Sequence, residues 1–219
     1  MSNPITHNGV AVETDGSTAT FMEEVGATRA DFLKRAAIFG GGAVATASGL
    51  MLLPELAGAS KKSDVAILNF ALTLEYLESD FYDRALRRVE FTNERAQKFA
   101  ENTAEHERAH VEAIVPTIEE LGGRPVEKPK FNFGGAFADQ DTFLQTAMAL
   151  EDTGVSAYNG AGPALTVKAV KEAAASIVAV EALHASWVRA MVGAVPAPLA
   201  FDEPKTMDEV LAIAKPFIA

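Results

Sequence analysis

Thr103–Ile114 (TAEHERAHVEAI) and Ile177–Val188 (IVAVEALHASWV) decide the fold of this chain. Each contains Glu-x-x-His: Glu107 with His110 in the first, Glu181 with His184 in the second. A lone glutamate precedes each pair, Glu75 by 32 residues and Glu151 by 30. Each lone glutamate has a tyrosine seven residues on, Tyr82 and Tyr158. The chain therefore reads twice as Glu, Tyr, Glu-x-x-His, the pattern of a duplicated helical hairpin.

Apolar residues around these motifs recur at alternating steps of four and three, the period of a helix packed in a bundle. Four helical stretches follow. The first runs from about Ser63, read as its N-cap, to about Glu90, with seam Leu68, Leu72, Glu75, Ser79 and Tyr82. The second runs from about Thr92 to Leu121 and stops at Gly122-Gly123, with seam Thr103, Glu107, His110 and Ile114. The third runs from about Asp141 to Asn159, with seam Leu144, Met148, Glu151, Val155 and Tyr158. The fourth runs from about Leu165 to Val192, with seam Ala174, Ile177, Glu181, His184, Val188 and Met191. A short helix over Met207–Lys215 is expected to wrap on the bundle.

Short links make the first and second stretches antiparallel, and the third and fourth likewise. The segment from Gly122 to about Gln140 is long and holds Pro125, Pro129 and Gly134-Gly135. Extended, it spans roughly 55–60 Å, more than the about 42 Å of a 28-residue helix. It can cross the whole bundle, and it is expected to start the third stretch at the end where the first starts. The fold class is all-α, a four-helix bundle with one long crossover and a short C-terminal helix.

All four glutamates fall on seams that face the core. An ionised carboxylate there costs several kcal/mol unless paired. Arg84, Arg87 and Arg88 lie beyond the seam, and Arg189 follows its motif. Two divalent cations balance four carboxylates, and Glu and His at i, i+3 project together onto one ion. Oxygen and imidazole donors without sulfur suit iron or manganese, and zinc less well. The expected ligands are Glu75, Glu107, His110, Glu151, Glu181 and His184. Tyr82 and Tyr158 are either hydrogen-bond donors to the ligands or core aromatics with a polar tip, the latter preferred. Glu78 rivals Glu75 but lies off the seam and out of register with Tyr82. His106 sits one position off the seam, at the surface or behind a ligand. Trp187 reads as core. One Glu-x-x-His pair alone is weak evidence, because surface pairs at this spacing are common. Two pairs matched to upstream Glu-x6-Tyr repeats are much stronger.

Composition narrows the function. The chain has 219 residues, 48% of them hydrophobic, a net charge of −11 and no cysteine. The negative charge argues against nucleic acid as a partner. Without cysteine there are no disulfides, thiol catalysis, iron–sulfur clusters or thiolate metal sites. Residues 1–59 read as a polar tail and an export signal. Thr28–Lys34 resembles the twin-arginine motif, with Ala30 in place of the second arginine. An apolar run from Ala36 to Pro54 follows, then Ala57-Gly58-Ala59, a small-x-small cleavage pattern that starts the mature chain near Ser60. Residues 60–219 are the bundle domain. If the leader is retained, residues 36–54 are about long enough to anchor the chain in a membrane.

Asp64–Tyr82 (DVAILNFALTLEYLESDFY) and Glu151–Gly162 (EDTGVSAYNGAG) resemble the exported ferritin-like domain proteins. These belong to the di-iron and di-manganese carboxylate superfamily and are related to plant desiccation-related proteins. The resemblance implies that Glu107 and Glu181 bridge two metals, that Glu75 and Glu151 are terminal ligands, and that His110 and His184 each take one ion. It implies two Fe ions, or alternatively two Mn ions, with Fe(II) and O2 or H2O2 as small-molecule partners. A redox enzyme of ferroxidase or peroxide-detoxifying type in the cell envelope is the leading expectation. The alternative is a non-catalytic stress or desiccation-related envelope protein stapled by metal. A homo-oligomer is compatible with either.

Overall fold

A computed structural model describes residues 6–7, 10–11 and 54–219. The expected twin-arginine-like segment and residues 36–53 of the apolar run lie outside the described residues. The chain divides into two compact units, Met1–Gly42 and Ala43–Ala219. In the first, β1 (Thr6–His7) pairs antiparallel with β2 (Val10–Ala11). In the second, helices carry the architecture: α1 (Pro54–Arg88), α2 (Glu94–Glu120), α3 (Gln140–Ala161), α4 (Lys168–Met191) and α5 (Met207–Ala214). The expected all-α bundle is the observed one. No described helix is long and apolar enough to cross a membrane.

Helix ends follow local chemistry. Asn93 caps α2 by accepting from Arg95 N at 2.8 Å, and Asp139 caps α3 by accepting from Thr142 N at 2.7 Å. Gly122, at φ 79°, ends α2, where its N–H bonds Glu119 O and that of Gly123 bonds Ile118 O. α5 opens with a capping box between Thr206 and Glu209. The start of α1 differs from expectation. Ser63 is interior to the helix, which begins at Pro54 and passes through Ala57–Ser60. Proline is well suited to the first helical position, where no N–H is needed. The start of α4 is held from a distance. Buried Asp64 of α1 accepts from Thr166 N, Thr166 Oγ1 and Val167 N at 2.8–3.1 Å.

The crossover corrects the expected direction of α3. Residues 121–139 climb along α1 in step with it. Asn69 bonds Arg124 O and Val126 N, Asp80 pairs with Lys128 at 3.0 Å, and Arg84 donates to Phe131 O at 3.2 Å. Farther on, the Arg88 guanidinium stands 5.1 Å from the Phe137 ring. Gln140 then accepts from Thr92 N and Asn93 N, so α3 starts where α1 ends. A chain leaving α2 near the start of α1 and crossing the full bundle arrives at the opposite end. Hence α1 and α3 are antiparallel, and α2 and α3 parallel. Chain 205–219 straps this layer. Lys205 N bonds Ser156 O, Asn132 N bonds Phe217 O, and Ala219 N bonds Lys130 O.

The expected seams are the core. Leu72, Tyr82, Thr103 and Val188 are fully buried, and Leu68, Ile114, Leu144, Val155 and Ile177 nearly so. Phe81 stacks on Phe143 at 5.5 Å and meets Tyr82 edge-on at 5.2 Å, while Trp187 packs on Phe99 at 5.4 Å. Each fully buried large aromatic contributes roughly 1.5–3 kcal/mol, which helps offset the cost of the carboxylates buried beside it.

Candidate metal centre

Glu75 from α1, Glu107 from α2, Glu151 from α3 and Glu181 from α4 are each 0% exposed. His110 and His184 are buried among them. Two sets of donor atoms each lie within 4.8 Å of one another: Glu75, Glu107, His110 and Glu181 in one, Glu107, Glu151, Glu181 and His184 in the other. All six residues singled out from sequence thus come together. Glu107 and Glu181 belong to both sets.

The donors converge on common points more than they bond each other. His110 Nδ1 is 3.1 Å from oxygens of Glu75, Glu107 and Glu181. His184 Nδ1 is 3.1 Å from Glu107 Oε1 and 3.2 Å from Glu151 Oε2. Yet Glu107 Oε1, Glu151 Oε2, both oxygens of Glu181 and His184 Nδ1 have no hydrogen-bond partner among the described residues. Buried polar atoms left this way are costly. A cation at each point of convergence would satisfy them.

Electrostatics agree. Burial pushes Glu75 up to about 7 against the pull of His110. Burial also raises Glu181, well above the ordinary range with Glu107 adding to it, and Glu151, which His184 partly offsets. Glu107 is buried too, but its contacts with His110 and His184 hold it below the ordinary range. Burial disfavours charge on both imidazoles. The surrounding carboxylates, Glu75 first for His110 and Glu151 first for His184, overcome this and raise both, His184 to about 11. Among the described residues it is protons that balance these carboxylates, and divalent cations would compete for the same lone pairs.

The tyrosines cross between hairpins. Tyr82 Oη donates to Glu151 Oε1, and Tyr158 Oη donates to Glu75 Oε1. This corrects the preference for a purely packing role. Tyr82 is fully buried in the aromatic cluster and is also a donor. Antiparallel α1 and α3 set Glu75 against Tyr158 and Tyr82 against Glu151, so each repeat steadies the other's glutamate. His106, largely exposed, places Nδ1 2.8 Å from His184 Nε2. It sits behind His184 and leaves Nδ1 facing the cluster.

Glu78 corrects the sequence reading. It is 3% exposed, belongs to neither donor set, and lies with Glu181 around Gly154, whose added Cβ would meet Glu181 Oε2 at 3.0 Å and Glu78 Oε1 at 3.3 Å. The seam rule placed it off the core line, yet three residues from Glu75 and four from Tyr82 is the spacing of one helix face. That spacing was the signal available.

A four-helix bundle with one lengthwise crossover and this buried carboxylate–histidine cluster defines a class of protein compatible with a two-metal site. Residues 63–194 match the family model described as ferritin-like domain, and the chain belongs to that family. No curated protein matches the chain.

Proposed function

We propose that the chain binds two iron ions, or alternatively two manganese ions, and is redox-active toward O2 or H2O2. The observation that carries this reading is the pair of donor sets sharing Glu107 and Glu181, in which oxygens of Glu107, Glu151 and Glu181 have no hydrogen-bond partner among the described residues. In this reading Glu107 and Glu181, which belong to both donor sets, would help hold both ions. Glu75 with His110 completes one ion's protein ligands, and Glu151 with His184 the other's. Four carboxylates balance two divalent cations, and the imidazoles bind neutral after giving up their protons. Reduced iron or manganese, when bound, supplies electrons to O2 or H2O2. The chain's own part is to fix the donors. Tyr82 and Tyr158 hold Glu151 and Glu75, and His106 sets the ring of His184. The apolar seams around the cluster limit water.

The test loads the full chain with Fe(II) anaerobically, then admits O2 or H2O2 and follows turnover. Two ions bound without any oxidation would remove the enzyme reading and leave the second one, a metal-stapled envelope protein. That second reading draws on the origin of the donors from four different helices, so that bound metal ties the whole bundle together. The proposal includes export, supported by the twin-arginine-like segment and the Ala57–Ala59 pattern. N-terminal sequencing of the protein from its own cells is expected to begin near Ser60. A chain that retains residues 1–59 and stays in the cytoplasm would oppose it.

A further inference from the structure

The two repeats are not equivalent at one place. Glu75 and Tyr82 correspond to Glu151 and Tyr158. The residue three positions after the first glutamate is Glu78, and the matching residue after the second is Gly154. Gly154 is also where room is tight. A Cβ there would lie 3.0 Å from Glu181 Oε2 and 3.3 Å from Glu78 Oε1. The missing side chain of one repeat makes space for the extra carboxylate of the other, and brings that carboxylate beside Glu181.

Glu78 has no compensating partner. It is 3% exposed and makes no hydrogen bond or ion pair among the described residues. Burial disfavours its charge most, and the strongest charges acting on it, Glu181, Glu151, Glu107 and Glu75, are all of its own sign. It borders a cavity of about 10 Å³ that Leu77, Leu150, Thr153, Gly154 and Ile213 also line. That is near the smallest space that holds one water. A carboxylate in such surroundings has no structural function that leucine or glutamine would not serve at lower cost. A cation in the cluster changes its surroundings from repulsive to attractive.

We propose that Glu78 is a seventh protein ligand, binding one of the two ions and making the pair inequivalent. The inference rests on the two-metal reading above. Without Glu78 each ion has the same donors: two shared glutamates, one terminal glutamate and one histidine. With it, one ion gains a carboxylate that the other repeat, carrying Gly154, cannot supply.

The probe is ferrous iron, titrated anaerobically into the full chain, with the Mössbauer spectrum and the affinity of each ion as readouts. Wild type is expected to bind two ions in two distinct environments. Glu78→Gln keeps size and removes charge. It is expected to retain two ions, bring their spectra together and weaken one ion about tenfold or more. Gly154→Ala leaves Glu78 in the chain but crowds its carboxylate, and is expected to behave the same way. Circular dichroism of the metal-free variants checks that both fold. Unchanged spectra and affinities in Glu78→Gln overturn the inference while sparing the two-metal reading. So does an effect in Gly154→Ala alone, which would mean only that Glu181 was displaced. A folded wild type that binds no iron overturns both.

Discussion

Tyr82→Phe removes one hydroxyl and leaves the ring in its contacts with Phe81 at 5.2 Å and Phe99 at 5.7 Å. The loss is confined to the hydrogen bond donated to Glu151 Oε1. A hydrogen bond to a charged group contributes about 1.5–3 kcal/mol, and each 1.4 kcal/mol is about tenfold in affinity. Groups that orient a metal ligand affect metal affinity by about 10- to 100-fold, so the two routes agree. Tyr158→Phe removes the equivalent bond to Glu75 Oε1. Each variant should therefore weaken one ion by roughly 10- to 100-fold and leave the other nearly unchanged. The double variant should weaken both. Anaerobic Mn(II) titration by calorimetry reads the two steps separately and avoids oxidation. Equal wild-type affinities in both single variants would refute the cross-hairpin support. Loss of both ions in either single variant would refute the division into two donor sets.

Glu107→Ala should abolish binding of both ions, because Glu107 belongs to both donor sets. Loss of only one, measured by elemental analysis, would argue against a bridging role. The metal-free chain should lose stability as pH rises. Glu75 is raised from 4.5 to about 7, so between those values the folded state holds a proton that the unfolded state has released. His184, raised from 6.5 to about 11, acts the same way over its own window. Stability depends on the difference in bound protons, and both windows give a fall. Denaturant midpoints across them check the sign, metal should flatten the trend, and a rise would contradict it. Asp64→Ala should cost about 2 kcal/mol or more by freeing the Thr166 and Val167 N–H groups at the start of α4. Metal stoichiometry should stay at the wild-type value. Thermal melts with metal analysis test that separation.

The helices and the six clustered side chains were legible because both rest on local period. A seam at steps of four and three sends Glu75, Glu107, His110, Glu151, Glu181 and His184 inward wherever the helices go. Relations between helices were less legible. The direction of α3 depends on which end the crossover leaves as well as on its length, and only the contacts from Asn69 to Arg88 reveal that. The pairing of Tyr82 with Glu151 follows from that direction and could not precede it. Glu78 was missed because the seam was treated as a line, whereas a buried helix presents a face several residues wide. The small counterpart at Gly154 acquires meaning only beside it. Asp64 caps a helix about a hundred residues away, and no local pattern announces a cap of that kind.

The central claim is that the cluster holds two ions between Glu107 and Glu181. Anomalous diffraction from crystals of the protein purified from its own source, recorded at the iron and manganese edges, tests it directly. The account predicts two peaks per chain, each among one of the two donor sets and both beside Glu107 and Glu181. A single peak, or none in a folded protein with these side chains still buried together, would contradict it.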